Sequence, residues 1–318
     1  MSDRPTALVL GATGGIGGEM ARQLLQAGWQ VRALHRRAPP APAGLEDLQW
    51  LRGDAMRRDD VVAAAAGAAV IVHAVNPPGY RHWGTLVLPM LDNTLAAAQM
   101  HGARIVLPGT IYNYGPEVLA AIDEASPQHP QTRKGLIRVQ MEQRLRRAAE
   151  QGVRTLIVRA GDYFGPRPGN NWFSQGLLQA GRWPRAISYP GRPGVGHQWA
   201  YIPDVARTIV ALLAIEERLR PFETCHMAGH WDPDGRRMVE TIRAVAARPD
   251  LKVRAFPWWL VSLASPLVET FKEMREMRYL WQLPARMDNA RLKALLGEEP
   301  HTPWEQAVAQ AIAGQAGR

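Results

Sequence analysis

Hydrophobic positions in the first half of the chain follow two alternating rhythms. Short aliphatic and β-branched runs of strand type stand at Thr6–Leu10, Trp29–Leu34, Leu48–Leu51, Val70–Ala74, Arg104–Leu107 and Thr155–Val158. Between them lie helical repeats. Gly15–Ala27 sets Met20, Leu24 and Leu25 on one face and runs into Gly28 at a C-cap position, and longer repeats cover Gly84–His101 and Arg133–Gln151. Such alternation predicts an α/β fold: a doubly wound, Rossmann-like parallel sheet with helices on both faces.

The rhythm breaks after Gly165. Residues 165–197 are rich in Gly, Pro, Trp and Arg, which predicts an irregular segment with short helices. A helix over Val205–Leu213 and a strand over Glu223–Met227 return to the sheet, and helical patterns follow at Arg236–Ala246, Pro284–Leu296 and Trp304–Ala313. The expected division is therefore a first domain of residues 1–165 plus about 200–229, and a smaller, mostly helical lobe of 166–199 and 230–318.

Composition narrows the function classes. A net charge of +9 invites a polyanionic partner, but only four of the 38 basic residues are lysines (Lys134, Lys252, Lys272, Lys293). That bias reads as an arginine-rich composition, and no helix, finger or stacking-sheet motif of a nucleic-acid binder is present, so none is expected as partner. One cysteine, Cys225, permits no internal disulfide and favours a reducing compartment. The N-terminus lacks a signal-peptide pattern, and the most apolar stretch, Val61–Val75, is short and interrupted by Gly67 and His73. A cytoplasmic enzyme or sensor with no membrane partner is the expectation.

Gly11, Gly14 and Gly17 stand directly between the first strand and the first helix, in Gly11-Ala-Thr13-Gly-Gly15-Ile16-Gly17. Glycine suits a tight turn, close approach of a pyrophosphate and helix packing, and the helix N-terminus then offers unpaired N–H groups to the anion. No Gly-Lys-Ser/Thr follows, so an NTPase-type loop is not supported. At the end of the second strand come His35, Arg36 and Arg37, where an acid would bind the adenosine ribose hydroxyls and arginines would pair a 2′-phosphate. The expected cofactor is therefore NADP(H), with NAD(H) possible.

At this point the chain resembles the extended short-chain dehydrogenase/reductase family, the NAD-dependent epimerases and dehydratases. The residues that carry the resemblance are the glycine turn, Gly53-Asp54, Val70–Ala74, Gly109-Thr-Ile-Tyr-Asn-Tyr-Gly115, Val158–Pro166, Trp199–Ala206 and Leu296–Pro303. The resemblance implies that Asp54 contacts the adenine and that Ala74, Val75 and Asn76 line the cofactor, with Ala160 and Asp162 near it. It also implies that Thr110, four residues before Tyr114-Gly115, polarises a substrate oxygen, and that the protein forms a homodimer. The family's Tyr-x-x-x-Lys pair falls on Lys134-Gly-Leu-Ile-Arg138, a departure from the pattern.

Residues 134 and 138 share a helix face, so the pair can still act together. Arg138 supplies a fixed charge for ribose hydroxyls, and a desolvated lysine beside it has a lowered proton affinity suited to acid–base exchange. Lys134 is moreover the only lysine in the first 251 residues. Tyr112 and Tyr114 are alternative proton donors. Tyr80, Trp83, Trp172, His197 and Trp199 are candidate substrate-pocket residues, although tryptophans also fill interfaces between lobes. Cys225, His226, His230 and Asp232 lie close in sequence, but strand alternation and Gly229 disperse them, so no metal is expected. The leading expectation is an NADP(H)-dependent oxidoreductase acting on a carbonyl or alcohol of a small organic substrate. The alternatives are a sugar-nucleotide epimerase or dehydratase and a non-catalytic NADP(H)-binding redox sensor.

Overall fold

Ala7 and Val9 point to one side of the first strand and Leu8 and Leu10 to the other, and all four are buried. A strand buried on both faces needs helices above and below it, and that requirement organises the fold. The computed structural model describes residues 4–37, 44–77, 82–167, 169, 171–179, 181–266 and 268–317. Tyr80 and residues 38–43 lie outside them.

In chain order the elements are β1 (Thr6–Leu10), α1 (Gly15–Gln26), β2 (Gln30–His35), β3 (Gln49–Arg52), α2 (Arg58–Ala64), β4 (Val70–His73), α3 (Trp83–His101) and β5 (Arg104–Gly109). A single 3-10 turn, Ile111–Asn113, leads to α4 (Arg133–Glu150), β6 (Thr155–Arg159) and β7 (Asp162–Phe164). Next come β8 (Ala186–Tyr189), β9 (His197–Tyr201), α5 (Ile202–Leu213), β10 (Phe222–His226), β11 (His230–Asp232), α6 (Arg236–Val245) and β12 (Lys252–Ala255). The chain closes with α7 (Trp258–Ala264), α8 (Glu269–Glu276), α9 (Ala290–Leu296) and α10 (Trp304–Gln315).

Seven parallel strands form the main sheet in the order β10-β6-β5-β4-β1-β2-β3. The chain reverses direction across the sheet between β1 and β4, and ligands of doubly wound sheets bind at that switch, beyond the carboxyl ends of the strands. Ala7, Val9 and Val72 pack with Met20, Leu24, Val205 and Ile209 on one face, and Leu8, Leu10 and Ile71 with Val61, Val87, Leu91 and Leu145 on the other.

Residues 166–199 and 230–318 are mostly helical, as expected, with α6, α7, α8, α9 and α10. Two small sheets accompany these helices: β11-β9-β7, whose β7 belongs to the first 165 residues, and β12-β8, built from segments whose Gly-Pro-Trp composition hides their strand character. An aromatic core of Phe164, Phe173, Trp199, Trp281 and Trp304 packs between these strands, α6 and α10. The helix expected over Pro284–Leu296 starts only at Ala290, because the preceding residues run extended. There the Arg286 N–H donates to the Leu119 carbonyl and the Ile122 N–H to that of Arg286, each at 2.8 Å.

One buried ion pair joins helix to sheet. Arg159, at the end of β6, donates from Nε to Glu142 Oε1 of α4 at 3.0 Å and from a terminal nitrogen to Oε2 at 2.5 Å, with both side chains buried. Gln128 donates a third bond to the same carboxylate at 3.0 Å, and Asn113 donates to Gln128 at 3.1 Å. Burial raises the Glu142 carboxyl, but the Arg159 charge and these bonds outweigh it and hold the group below the ordinary carboxylate range. Its stabilisation is therefore complete above the unfolded value and is lost as pH falls through the folded one. Arg159→Met leaves a buried carboxylate without its partner, so urea unfolding at pH 7 is expected to show a loss of about 3–5 kcal/mol. A loss under about 1 kcal/mol would contradict this account.

Candidate cofactor and proton-transfer site

The turn between β1 and α1 is shaped by contacts that only glycine allows. Gly11 has φ +93°, and a Cβ there would stand 2.5 Å from the Ala74 carbonyl oxygen; one on Gly17 would stand 2.2 Å from the Gly11 carbonyl oxygen. The turn thus presses against the end of β4, bringing the predicted Gly11–Gly17 and Ala74–Asn76 segments together. No side chain caps α1 at Gly14, and Thr13 and Gly14 are exposed, so the first-turn N–H groups open outward. This cradle fits a dinucleotide pyrophosphate.

Arg36 and Arg37 are exposed at bends just after β2, with no acidic residue beside them in the chain. Asp54 follows β3 and caps its own loop, accepting the Met56 N–H at 3.0 Å while its own N–H is accepted by Asp60 at 2.9 Å. Without the family frame, that local cap would account for the residue.

The second half of the site is built around α4. Thr132 caps the helix by accepting the Gly135 N–H at 3.0 Å, and a Cβ on Gly135 would stand 2.3 Å from the Tyr112 carbonyl oxygen. The helix N-terminus therefore seats directly on the 3-10 turn after β5. Thr110 caps that turn, its hydroxyl accepting the Tyr112 N–H at 3.4 Å. Lys134 and Arg138 are both buried, and both lie over the indole of Trp83, with the Lys134 Nζ 5.9 Å and the Arg138 guanidinium carbon 5.2 Å from the ring centroid. Trp83, read from sequence as pocket lining, is the buried platform beneath the two cations.

Burial drives the Lys134 ammonium down to about 8, against an opposing pull from Glu273 and Glu276 and with a smaller downward push from Arg138. The same Arg138 charge adds to burial at His73, which is pushed down to about 3 and stays neutral while hydrogen-bonded to Thr94 at 2.8 Å. Tyr163 closes the floor, its hydroxyl donating to the Gly109 carbonyl at 2.6 Å.

Several predicted residues lie elsewhere. Tyr114 is fully buried; its hydroxyl lies 3.1 Å from His226 Nε2, which is also 2.8 Å from Arg159, and burial raises the phenol. Its hydroxyl is engaged by His226 within the ion-pair network, which takes it out of the set of candidate donors. Trp199 and Ala160 have no exposed surface, and Trp199 packs in the aromatic core against Phe164 and Phe173. Trp172 is half-buried against Phe256, Trp258 and Trp281. Asp162 and His197 pair with each other, Oδ2 to Nε2 at 2.9 Å, and the imidazole stacks on Trp281 at 3.9 Å between centroids.

The sequence cluster around Cys225 is dispersed. Burial pushes the Cys225 thiol up to about 12, His226 joins Arg159, and Asp232 accepts the N–H groups of Gly235 and Met238 at 2.9 Å each. Asp204, His230 and His301 do converge, their potential ligand atoms lying within 4.8 Å of one another. The Asp204 carboxylate, however, already accepts from Arg207 and twice from Thr302, and burial, then His301 and Arg237, oppose positive charge at His230. Sequence reasoning missed Glu273, which ion-pairs with Lys134 at 3.3 Å. Its only trace is a pair of acids, Glu273 and Glu276, set among Lys272, Arg275 and Arg278.

Fold and glycine cradle together define a dinucleotide-binding α/β protein of the doubly wound class. The family model for the NAD dependent epimerase/dehydratase family matches residues 7–226, and the chain belongs to that family. A curated relative, dTDP-6-deoxy-L-talose 4-dehydrogenase (NAD(P)(+)) of Kitasatospora kifunensis, is 29% identical over 177 residues. That match spans 51% of this chain and about half (54%) of the relative's length. Among solved structures, UDP-glucose 4-epimerase from Bifidobacterium longum in complex with NAD+ and UDP superposes with a TM-score of 0.76 at 14% identity, covering 98% of each chain. UDP-N-acetylglucosamine 4-epimerase from Bacillus cereus does so with 0.74 at 16% identity, over 97% of this chain and 95% of the other. At these identities the structural likeness concerns the fold.

Gly17→Ala drives a methyl into the Gly11 carbonyl, so the turn must shift. Isothermal titration with NADPH and NADH is expected to show affinity for both falling about tenfold or more, with a stability loss of about 1–3 kcal/mol. Unchanged affinity for both would remove the turn from the binding site.

Proposed function

We propose that this chain is an NADP(H)-dependent oxidoreductase acting on a carbonyl or alcohol of a small organic substrate. The observation that carries the reading is the buried Lys134, stacked with Arg138 over Trp83 on a helix that seats on the Thr110 turn. A bound nicotinamide supplies or takes up the hydride. Lys134 Nζ gives a proton to the substrate oxygen in reduction and takes it back in oxidation, a role open to an ammonium held near 8. The Thr110 hydroxyl donates to the same oxygen and steadies the charge developing there. Arg138 presents forked donors to the nicotinamide ribose hydroxyls, and Arg36 and Arg37 pair the 2′-phosphate.

The sign of the pH dependence follows from the lysine. Oxidation needs the neutral amine, so its rate is expected to rise as pH passes through about 8, while reduction, which needs the ammonium, falls over the same range. Lys134→Ala is expected to lower turnover about 10²–10⁴-fold while leaving nucleotide affinity within a few-fold. Full turnover in that variant would rule out Lys134 as the proton carrier.

Cofactor choice is tested by titrating the protein with NADPH and NADH and following tryptophan fluorescence. The double variant Arg36→Ala, Arg37→Ala is expected to weaken NADPH about tenfold or more and to spare NADH. Equal or tighter NADH binding by the parent protein would overturn the NADP(H) assignment.

A second reading, sugar-nucleotide epimerisation or dehydration, is favoured by the activities named for the relatives. The two separate on turnover: the oxidoreductase consumes free nicotinamide nucleotide, whereas an epimerase returns the hydride to its own substrate and shows no net oxidation.

A further inference from the structure

The first turn of α4 sets two cations, Arg133 and Lys134, at the positive end of the helix dipole and contains no acidic residue. Such a placement is unfavourable unless negative charge is brought in from outside. Here it comes from α8, in the other lobe. Glu276 accepts the Arg133 backbone N–H at 3.0 Å, and one turn earlier Glu273 stands 3.3 Å from the Lys134 Nζ, with both of those side chains less than 5% exposed.

The segment that follows α8 is anchored independently of these charges. Met277 and Leu280 pack in an apolar cluster with Ile111, Tyr114 and Leu119, and the Tyr279 hydroxyl donates to the Tyr114 carbonyl at 3.2 Å. Around α8 the contact thus combines an apolar seam with two carboxylates, and it covers the nitrogen assigned to proton exchange.

We propose that Glu273 is the positioning residue of this site: from the second lobe it holds the Lys134 ammonium in place, so that the proton-exchanging group is complete only when α8 is seated on α4. The proposal rests on the reading of Lys134 as proton carrier. Among the described residues, the groups that face Lys134 include Glu273 and Glu276 from α8, Arg138 on its own helix and the Trp83 ring from α3, with Arg133 next to it in the chain. The 3-10 turn meets the neighbouring Gly135 through the Tyr112 carbonyl and bears the Tyr112 phenol. Of these, Glu273 makes the ion pair, so Lys134 loses its nearest counter-charge when that residue is neutralised.

The scarcity of lysine makes this directly measurable. The 318-residue chain grown with lysine carrying ¹³C at Cε has four lysine signals to follow, and the one absent from Lys134→Arg identifies Lys134. In the parent protein its titration midpoint is expected near 8. In Glu273→Gln it is expected about one pH unit lower, a tenfold loss of proton affinity, with Lys252, Lys272 and Lys293 unmoved. The limb of kcat/KM for alcohol oxidation should move to lower pH with it. Glu273→Asp, which keeps the charge but withdraws it by one methylene, should give a smaller displacement and serves if the Gln variant does not fold.

An unmoved Lys134 midpoint in either folded variant overturns the proposal. Survival of turnover in Lys134→Ala would instead remove the proton-carrier reading while leaving the Glu273-dependent midpoint measurable, so the two failures are distinguishable.

Discussion

The Arg159–Glu142 pair is the joint on which the site depends. It fixes α4 against the end of β6, and through Gln128 and Asn113 it reaches the turn that follows β5. His226 on β10 and the Tyr114 hydroxyl complete the same buried network, so three neighbouring strands and one helix share a single set of bonds. A buried carboxylate is costly unless its lone pairs are filled, and here two residues fill them. The consequence lies one and two turns up the helix: with α4 held against the sheet, Arg138 and Lys134 lie over Trp83.

A different solution governs the N-terminus of the same helix. Two adjacent cations are tolerated there because α8, remote in sequence, lends its acids. The nucleotide side is simpler. Gly11 and Gly17 allow backbone to touch backbone, and the turn sits where β1 and β4 diverge. One half of the site is thus shaped by the absence of side chains and the other by the burial of charged ones.

Much of this was legible in the chain. Parallel strands buried on both faces appear as short aliphatic runs, and the helices between them carry a regular apolar stripe, so the positions of β1, β2, β4, β5, β6, α1, α3 and α4 could be read to within one or two residues. The small strands β7, β8, β9 and β11 could not, because their pairing partners are remote in sequence and glycines, prolines and tryptophans interrupt any alternation. The helix expected from Pro284 failed for a similar reason. Its first residues have hydrogen-bonding partners at Leu119 and Ile122, and those long-range bonds outweigh local helical preference. Tyr114 misled because a Tyr-Gly pair after a strand carries no mark of which way the ring turns, and here it turns inward to His226.

By itself the sequence determined the features that depend on local chemistry: the glycine turn, the arginines after β2, and a lysine with an arginine four residues on where the family carries tyrosine and lysine. Tertiary structure alone decided that this lysine is buried, that Trp83 lies beneath it and that Glu273 faces it. The reason is physical. Proton affinity and ion pairing are set by desolvation and by charges a few ångströms away in space, and 139 residues of chain separate Lys134 from the carboxylate that matters most to it.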